Sequence, residues 1–208
     1  MEKKIVFATA NEGKMREIRM ILADLGMPVL SLKEAGLDVE IEENGKTFEE
    51  NAEIKVRAIR PYTDAVILAD DSGLEIDYLN GEPGVHSARY MGHDTPYEVK
   101  NANIIRLLDA AEGEERRAKY VCAIAVSFPD GKLSVVRGEL AGEIARASAG
   151  AGGFGYDPIF YLPEYGKTAA QVDPELKNRI SHRGKALEAV KKEILCYGEK
   201  AHEDTGRQ

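Results

Sequence analysis

The sequence predicts an α/β chain, on three observations. Residues 4–8, 29–32 and 65–69 are apolar runs of strand length. Segments with apolar residues at helical spacing stand between and after them, two of them opened by capping signals. Two long β patterns, residues 118–128 and 133–145, flank Pro129-Asp-Gly-Lys132, which reads as a hairpin with a longer loop.

The first run ends at Thr9-Ala10-Asn11-Glu12-Gly13, which turns the chain into a helix. Met15, Ile18, Leu22 and Leu25 repeat at helical spacing, and Gly26 stops them. A strand entering a helix through a polar turn exposes N–H groups at the helix N-terminus, a ready anion site. Lys14 lies in the first turn, where the helix dipole alone favours an acid. A bound anion would supply its counter-charge; a solvated surface lysine is the alternative. The P-loop pattern GxxxxGK[ST] is absent. Thr47-Phe-Glu-Glu50 is a capping box for a helix to about Arg60, with Phe48, Ala52, Val56 and Ile59 on one face and Pro61 at its end. Glu50 therefore has a structural role. Glu43, just before that helix, has none so plain.

Residues 68–92 organise the chain. An apolar strand ends in Asp70 and Asp71, Ser72-Gly73 forms a turn, and a second strand runs over residues 74–78. Paired acids at a glycine turn suit a divalent cation. A turn whose acids only cap and solvate the chain end is the alternative. Asn80-Gly81, Pro83-Gly84 and Ser87-Ala-Arg-Tyr90 follow, with little apolar periodicity. Thr95-Pro-Tyr-Glu98 reads as a second capping box with Pro96 at N1, and its helix turns Val99, Ala102, Ile105 and Leu108 inward. The two hairpin strands are long enough to form the spine of a second lobe.

Gly150, Gly152, Gly153 and Gly155 surround Phe154. Glycines let a backbone approach a ligand, and a ring on such a backbone suits stacking on a base. A flexible loop with a buried aromatic anchor is the alternative. Asp173 begins a further helix, and Ser181 is an N-cap that places His182 and Arg183 at a helix N-terminus. That helix is expected to reach about Cys196, with residues 199–208 as a polar tail after a single domain over residues 1–198.

The 208 residues carry a net charge of −8, which argues against nucleic acid or an anionic membrane as the main partner. Cys122 and Cys196 have no CxxC spacing and read as free thiols of a reducing compartment. The N-terminus shows no signal-peptide pattern and no run is long enough to span a bilayer, so the expected location is cytoplasmic. Taken together, an anion cradle, a carboxylate pair and an aromatic with polar readers describe a site for a nucleoside triphosphate and a divalent metal.

These pieces resemble the inosine/xanthosine triphosphate pyrophosphatase family. The resemblance rests on Thr9-Ala-Asn-Glu-Gly-Lys14, residues 43–52, Ala69-Asp-Asp-Ser-Gly-Leu74, residues 81–90, Gly153-Phe-Gly-Tyr-Asp-Pro158 and Lys177-Asn-Arg-Ile-Ser-His-Arg183. It runs from residue 4 to about 196, with one departure at Gln171, where relatives often carry an acid.

The resemblance implies a long, bent mixed sheet with flanking helices, two lobes with a nucleotide cleft between them, and a homodimer. It implies hydrolysis of ITP, dITP or XTP to the monophosphate and pyrophosphate, with Mg²⁺. Asp71 would be the catalytic acid/base and a metal ligand, and Glu43 the second metal ligand. Thr9, Ala10, Asn11, Glu12, Gly13, Lys14, Ser72, Phe154, Gly155, Tyr156, Asp157, Lys177, His182 and Arg183 would bind substrate.

Overall fold

The computed structural model describes residues 4–9 and 11–205, with side chains as far as Gly198. Ala10, expected in the anion cradle, lies outside the described residues, as do the last three residues of the tail. Seven strands form one mixed sheet in the order β2-β1-β3-β4-β5-β6-β7. They are β1 (Ile5–Phe7), β2 (Val29–Ser31), β3 (Val66–Ile76), β4 (Arg117–Ser127), β5 (Leu133–Ile144), β6 (Phe160–Leu162) and β7 (Lys167–Thr168). The helices are α1 (Glu12–Leu22), α2 (Phe48–Ile59), α3 (Tyr97–Leu107), α4 (Pro174–Ile180) and α5 (His182–Thr205). The expected α/β class is the observed one.

The chain divides into two compact units, residues 1–71, 123–137 and 184–208 in the first and residues 72–122 and 138–183 in the second. In the first, β1 pairs in parallel with β2 and β3, setting Ile5 opposite Val29 on one side and Val66 on the other. Ile5, Val6 and Phe7 are all fully buried, as a parallel strand with both faces covered requires. Met15, Ile18 and Leu22 bury the inner face of α1, and Gly26 ends the turn that follows at φ +62°. In the second unit β5, β6 and β7 are antiparallel neighbours. Its core gathers Leu74, Ile76, Ile104, Leu108, Ile159 and Phe160.

Five expectations change. The acids of residues 70–71 do not sit at a turn: β3 runs unbroken through them to Ile76. Strand geometry then sends adjacent side chains to opposite faces, which separates the duties of Asp70 and Asp71. The Thr95 capping box does not form, because Thr95 donates its hydroxyl to Met91 O and α3 starts after Pro96 with no side-chain cap. The inner face of α3 holds as expected only toward its end, where Leu108 is buried and Ile105 packs on the core. Lys100, Asn101 and Ile104 are buried, whereas Val99 is 49% exposed. Periodicity places apolar side chains inward, and here two polar ones turn in to donate to the carbonyls of Ala88 and Gly155. Finally α5 continues past Cys196 to Thr205, and the β4–β5 hairpin contributes residues to both units rather than to a second lobe alone.

Candidate active site

In the first unit the site grows from α1, α2 and β3. Asn11 caps α1 by accepting from Lys14 N at 3.0 Å, and its own N–H donates to Thr9 Oγ1 at 3.1 Å. Thr9, Asn11, Glu12 and Gly13 thus form the expected entry to the helix. The counter-charge of Lys14 comes from the chain: its Nζ lies 2.9 Å from Asp70 Oδ2 and 3.1 Å from Oδ1. Asp70 is buried, so this pair fixes the lysine head at the helix entry.

Asp71 faces α2. Asn51 Nδ2 donates to its Oδ2 at 2.9 Å, and Lys55 Nζ stands 3.9 Å from its Oδ1. The same ammonium donates to Asp70 O at 2.9 Å and pairs with Glu43 Oε2 at 2.8 Å. Glu43 and Asp71 therefore converge on one cation. Burial raises the Asp71 pKa above the usual aspartate value; Lys55 and the Asn51 hydrogen bond pull it back, and Glu43 pushes it up.

Asn51 also accepts from Gly45 N at 2.8 Å, tying the loop before α2 to the carboxylate. Thr47 caps α2 as expected, accepting from Glu50 N, while Glu50 reaches back to Lys46 N rather than to Thr47.

Asn51 and Lys55 are the residues that sequence reasoning missed. The signal was present. They lie four apart and adjoin Ala52 and Val56, so both fall within the apolar stripe of α2. A polar residue inside such a stripe must find a buried partner.

The second unit holds the other group. Phe154 is 38% exposed on its glycine-flanked loop, the exposure a stacking ring needs. Lys177 Nζ lies 4.7 Å and the Arg183 guanidinium 5.7 Å from its ring centroid. Asp157 organises the loop: Oδ2 accepts from Phe154 N at 2.8 Å and from Lys177 Nζ at 2.8 Å. A Cβ on Gly153 would come within 2.1 Å of that carboxylate, and Gly153 holds φ +71°, so glycine is required there. Arg183 donates to Ser72 Oγ at 3.1 Å, and His182 stacks on Tyr120 at 4.7 Å.

Gly155 and Tyr156 are fixed from below. Asn101 Nδ2 donates to Gly155 O at 3.1 Å. Tyr156 is buried, its hydroxyl donates to Ser87 O at 2.7 Å, and its ring meets Tyr97 edge-on. Its phenol is spent inside the protein. Residues 83–90 thus serve as a bed for this loop, with Lys100 Nζ donating to Ala88 O at 2.8 Å. Gln171, the departure noted in the sequence, accepts from Thr168 N and serves a turn.

By class this is an α/β protein that pairs acids with lysines in one cluster and sets an exposed aromatic ring among cationic donors in another. The chain belongs to the Ham1 family, whose model matches residues 5–193. It is 45% identical to a dITP/XTP pyrophosphatase of Clostridium perfringens, over 91% of this chain and 96% of the relative. It is 48% identical to another from Geobacillus kaustophilus, over 89% and 91%. A HAM1 protein of Coxiella burnetii shares the fold at TM-score 0.84 and 41% identity, covering 93% of this chain and 98% of that one. A dITP/XTP pyrophosphatase of Mycobacterium abscessus matches at TM-score 0.72 and 41% identity, covering 90% and 98%.

Proposed function

We propose that this chain hydrolyses non-canonical purine nucleoside triphosphates, ITP, dITP and XTP, to the monophosphate and pyrophosphate. The carrying observation is that an acid–lysine cluster around Asp71 sits in a chain matched over nine-tenths of its length by a dITP/XTP pyrophosphatase. The first unit serves the phosphates. Lys14, held by Asp70 at the α1 N-terminus, and Lys55 bring positive charge to the triphosphate oxygens. Asp71, its basicity raised by burial, takes a proton from the water that attacks the α-phosphorus. The bond from that phosphorus to its bridging oxygen breaks, and pyrophosphate leaves with the electron pair.

The metal is Mg²⁺ in this reading. Among the described residues no group of three or more metal-ligating side chains converges, so the protein offers two carboxylates, Asp71 and Glu43. That set fits Mg²⁺, which keeps several waters and takes the rest of its oxygens from phosphates. The approach of both acids to the Lys55 ammonium indicates that their field favours a cation. When bound, the ion would neutralise charge that builds on the leaving pyrophosphate.

The second unit serves the base. Phe154 stacks on it, and Arg183 and His182 read its edge. Inosine and xanthosine present a carbonyl oxygen at C6, adenosine an amine, and the guanidinium of Arg183 can only donate. A site that requires such a bond rejects the mismatched base by roughly 10⁴-fold. The protein acts as a cytoplasmic homodimer in this account; no helix among the described residues is long and apolar enough to cross a membrane. Asp71→Asn tests the chemistry: it keeps ITP binding and loses turnover by about 10²–10⁴-fold, the typical worth of a positioned base. Near-normal turnover in that variant would remove Asp71 from the mechanism.

A further inference from the structure

Tyr120 is a buried phenol on β4 that the proposed chemistry does not use. Its hydroxyl donates to Asp157 Oδ1 at 3.2 Å, the oxygen opposite the one that holds Phe154 N and Lys177. One face of its ring stacks on His182, centroids 4.7 Å apart and planes 19° apart. Phe160 packs on the ring at 4.2 Å, tilted by 30°. Tyr120 therefore touches both halves of the second cluster. Its hydroxyl acts on the loop that carries the exposed ring, and its face supports the imidazole beside Arg183.

We infer that Tyr120 is a positioning residue for base selection, setting the Phe154 loop through Asp157 and the plane of His182 through stacking. The inference rests on the reading of this cluster as the base site. Three features support it. Burial, with Asp157 alongside, drives the phenol pKa well up, so Tyr120 stays a donor throughout the working pH range. The recess bordered by Tyr120, Asp157, Lys177 and His182 is about 10 Å³, at the lower edge of the roughly 10–15 Å³ that one water needs. The groups bear on one another directly, through the Tyr120 and Lys177 hydrogen bonds to Asp157 and the stacking of Tyr120 on His182. Finally, Asp157 accepts from three donors at once, so removing one leaves the carboxylate to the pull of Lys177 and the loop N–H, and Phe154 moves with them.

The test is Tyr120→Phe beside Phe154→Ala, each assayed by pyrophosphate release with ITP and ATP. Tyr120→Phe removes one oxygen and keeps the ring that supports His182, so the fold is retained. The expected result is a KM for ITP raised about tenfold, the worth of a hydrogen bond to a charged group, with kcat within about twofold and a narrowed ITP-over-ATP preference. A purely structural tyrosine would lower the melting temperature and leave the KM–kcat split and the preference where they were; that result overturns the inference. If Phe154→Ala shifts KM and preference while Tyr120→Phe does not, the base site stands and the role of Tyr120 falls. If neither variant moves them, the reading of the cluster as a base site falls and takes the inference with it.

Discussion

Asp71 is held by partners of opposite effect. Burial and Glu43 favour its protonated form, whereas Lys55 and Asn51 favour the carboxylate. The net shift is upward in the metal-free protein, which gives a thermodynamic signature. The Asp71 carboxyl there titrates above the ordinary aspartate value of about 3.9. The folded state binds this proton more tightly than the unfolded one, so Asp71 makes stability fall as pH rises from the unfolded to the folded pKa. No fall in stability over that interval, read from unfolding of the metal-free protein as a function of pH and compared with Asp71→Asn, would contradict the assignment.

Gly45 gives a second residue-scale prediction. A Cβ there would lie 2.6 Å from Asn51 Oδ1 and 2.9 Å from its backbone nitrogen. Gly45→Ala displaces the side chain that holds Asp71, so it costs about 1–3 kcal/mol by thermal unfolding and lowers kcat. Wild-type kcat in that variant would mean that Asn51 does not position the carboxylate. Asp71 was legible in the sequence as half of an acid pair. Its partner Lys55 was not, because a lysine in an apolar stripe looks like an interruption until the carbonyl and carboxylates beneath it are located.

At the scale of elements, β3 and α3 show where pattern reading reaches and where it stops. The strand after Ala65 was legible from apolar residues alone. Its continuation through Asp70, Asp71, Ser72 and Gly73 was not, because polar residues and a glycine are the usual marks of a turn. Pairing in the sheet overrides them. The consequence is functional: successive residues face opposite ways, one acid toward Lys14 and the next toward Asn51 and Lys55.

Helix α3 was placed correctly, and its inner face was read correctly at Ile105 and Leu108 but not at Val99 and Ala102. Its inner face spends Lys100 on Ala88 O and Asn101 on Gly155 O, contacts that no periodicity contains. Val99→Lys should therefore change stability by no more than about 0.5 kcal/mol, while Asn101→Leu, which leaves the Gly155 carbonyl without its donor, costs about 1–3 kcal/mol. Equal losses at the two positions in chemical denaturation would contradict the observed face. Phe154, by contrast, was readable in advance, since an aromatic between glycines has little core to fill.

At the scale of the molecule, one unit supplies carboxylates and lysines and the other an exposed ring with donors. The net charge of −8 does not by itself oppose an anionic substrate, because cations stand in both clusters, Lys14 and Lys55 paired with acids in one and Lys177 and Arg183 around the Phe154 ring in the other. Selectivity and turnover should then separate. Arg183→Ala narrows the preference for ITP over ATP while leaving pyrophosphate as the product. An unchanged preference would assign the reading of C6 to another group.

The most direct measurement is the product released from ITP, XTP, dITP, GTP and ATP, with Mg²⁺ and after its removal by a chelator. The expected result is pyrophosphate and the monophosphate from ITP, XTP and dITP, little from GTP or ATP, and turnover that is lost without the metal. Orthophosphate as the product, or ATP hydrolysed as fast as ITP, would contradict it.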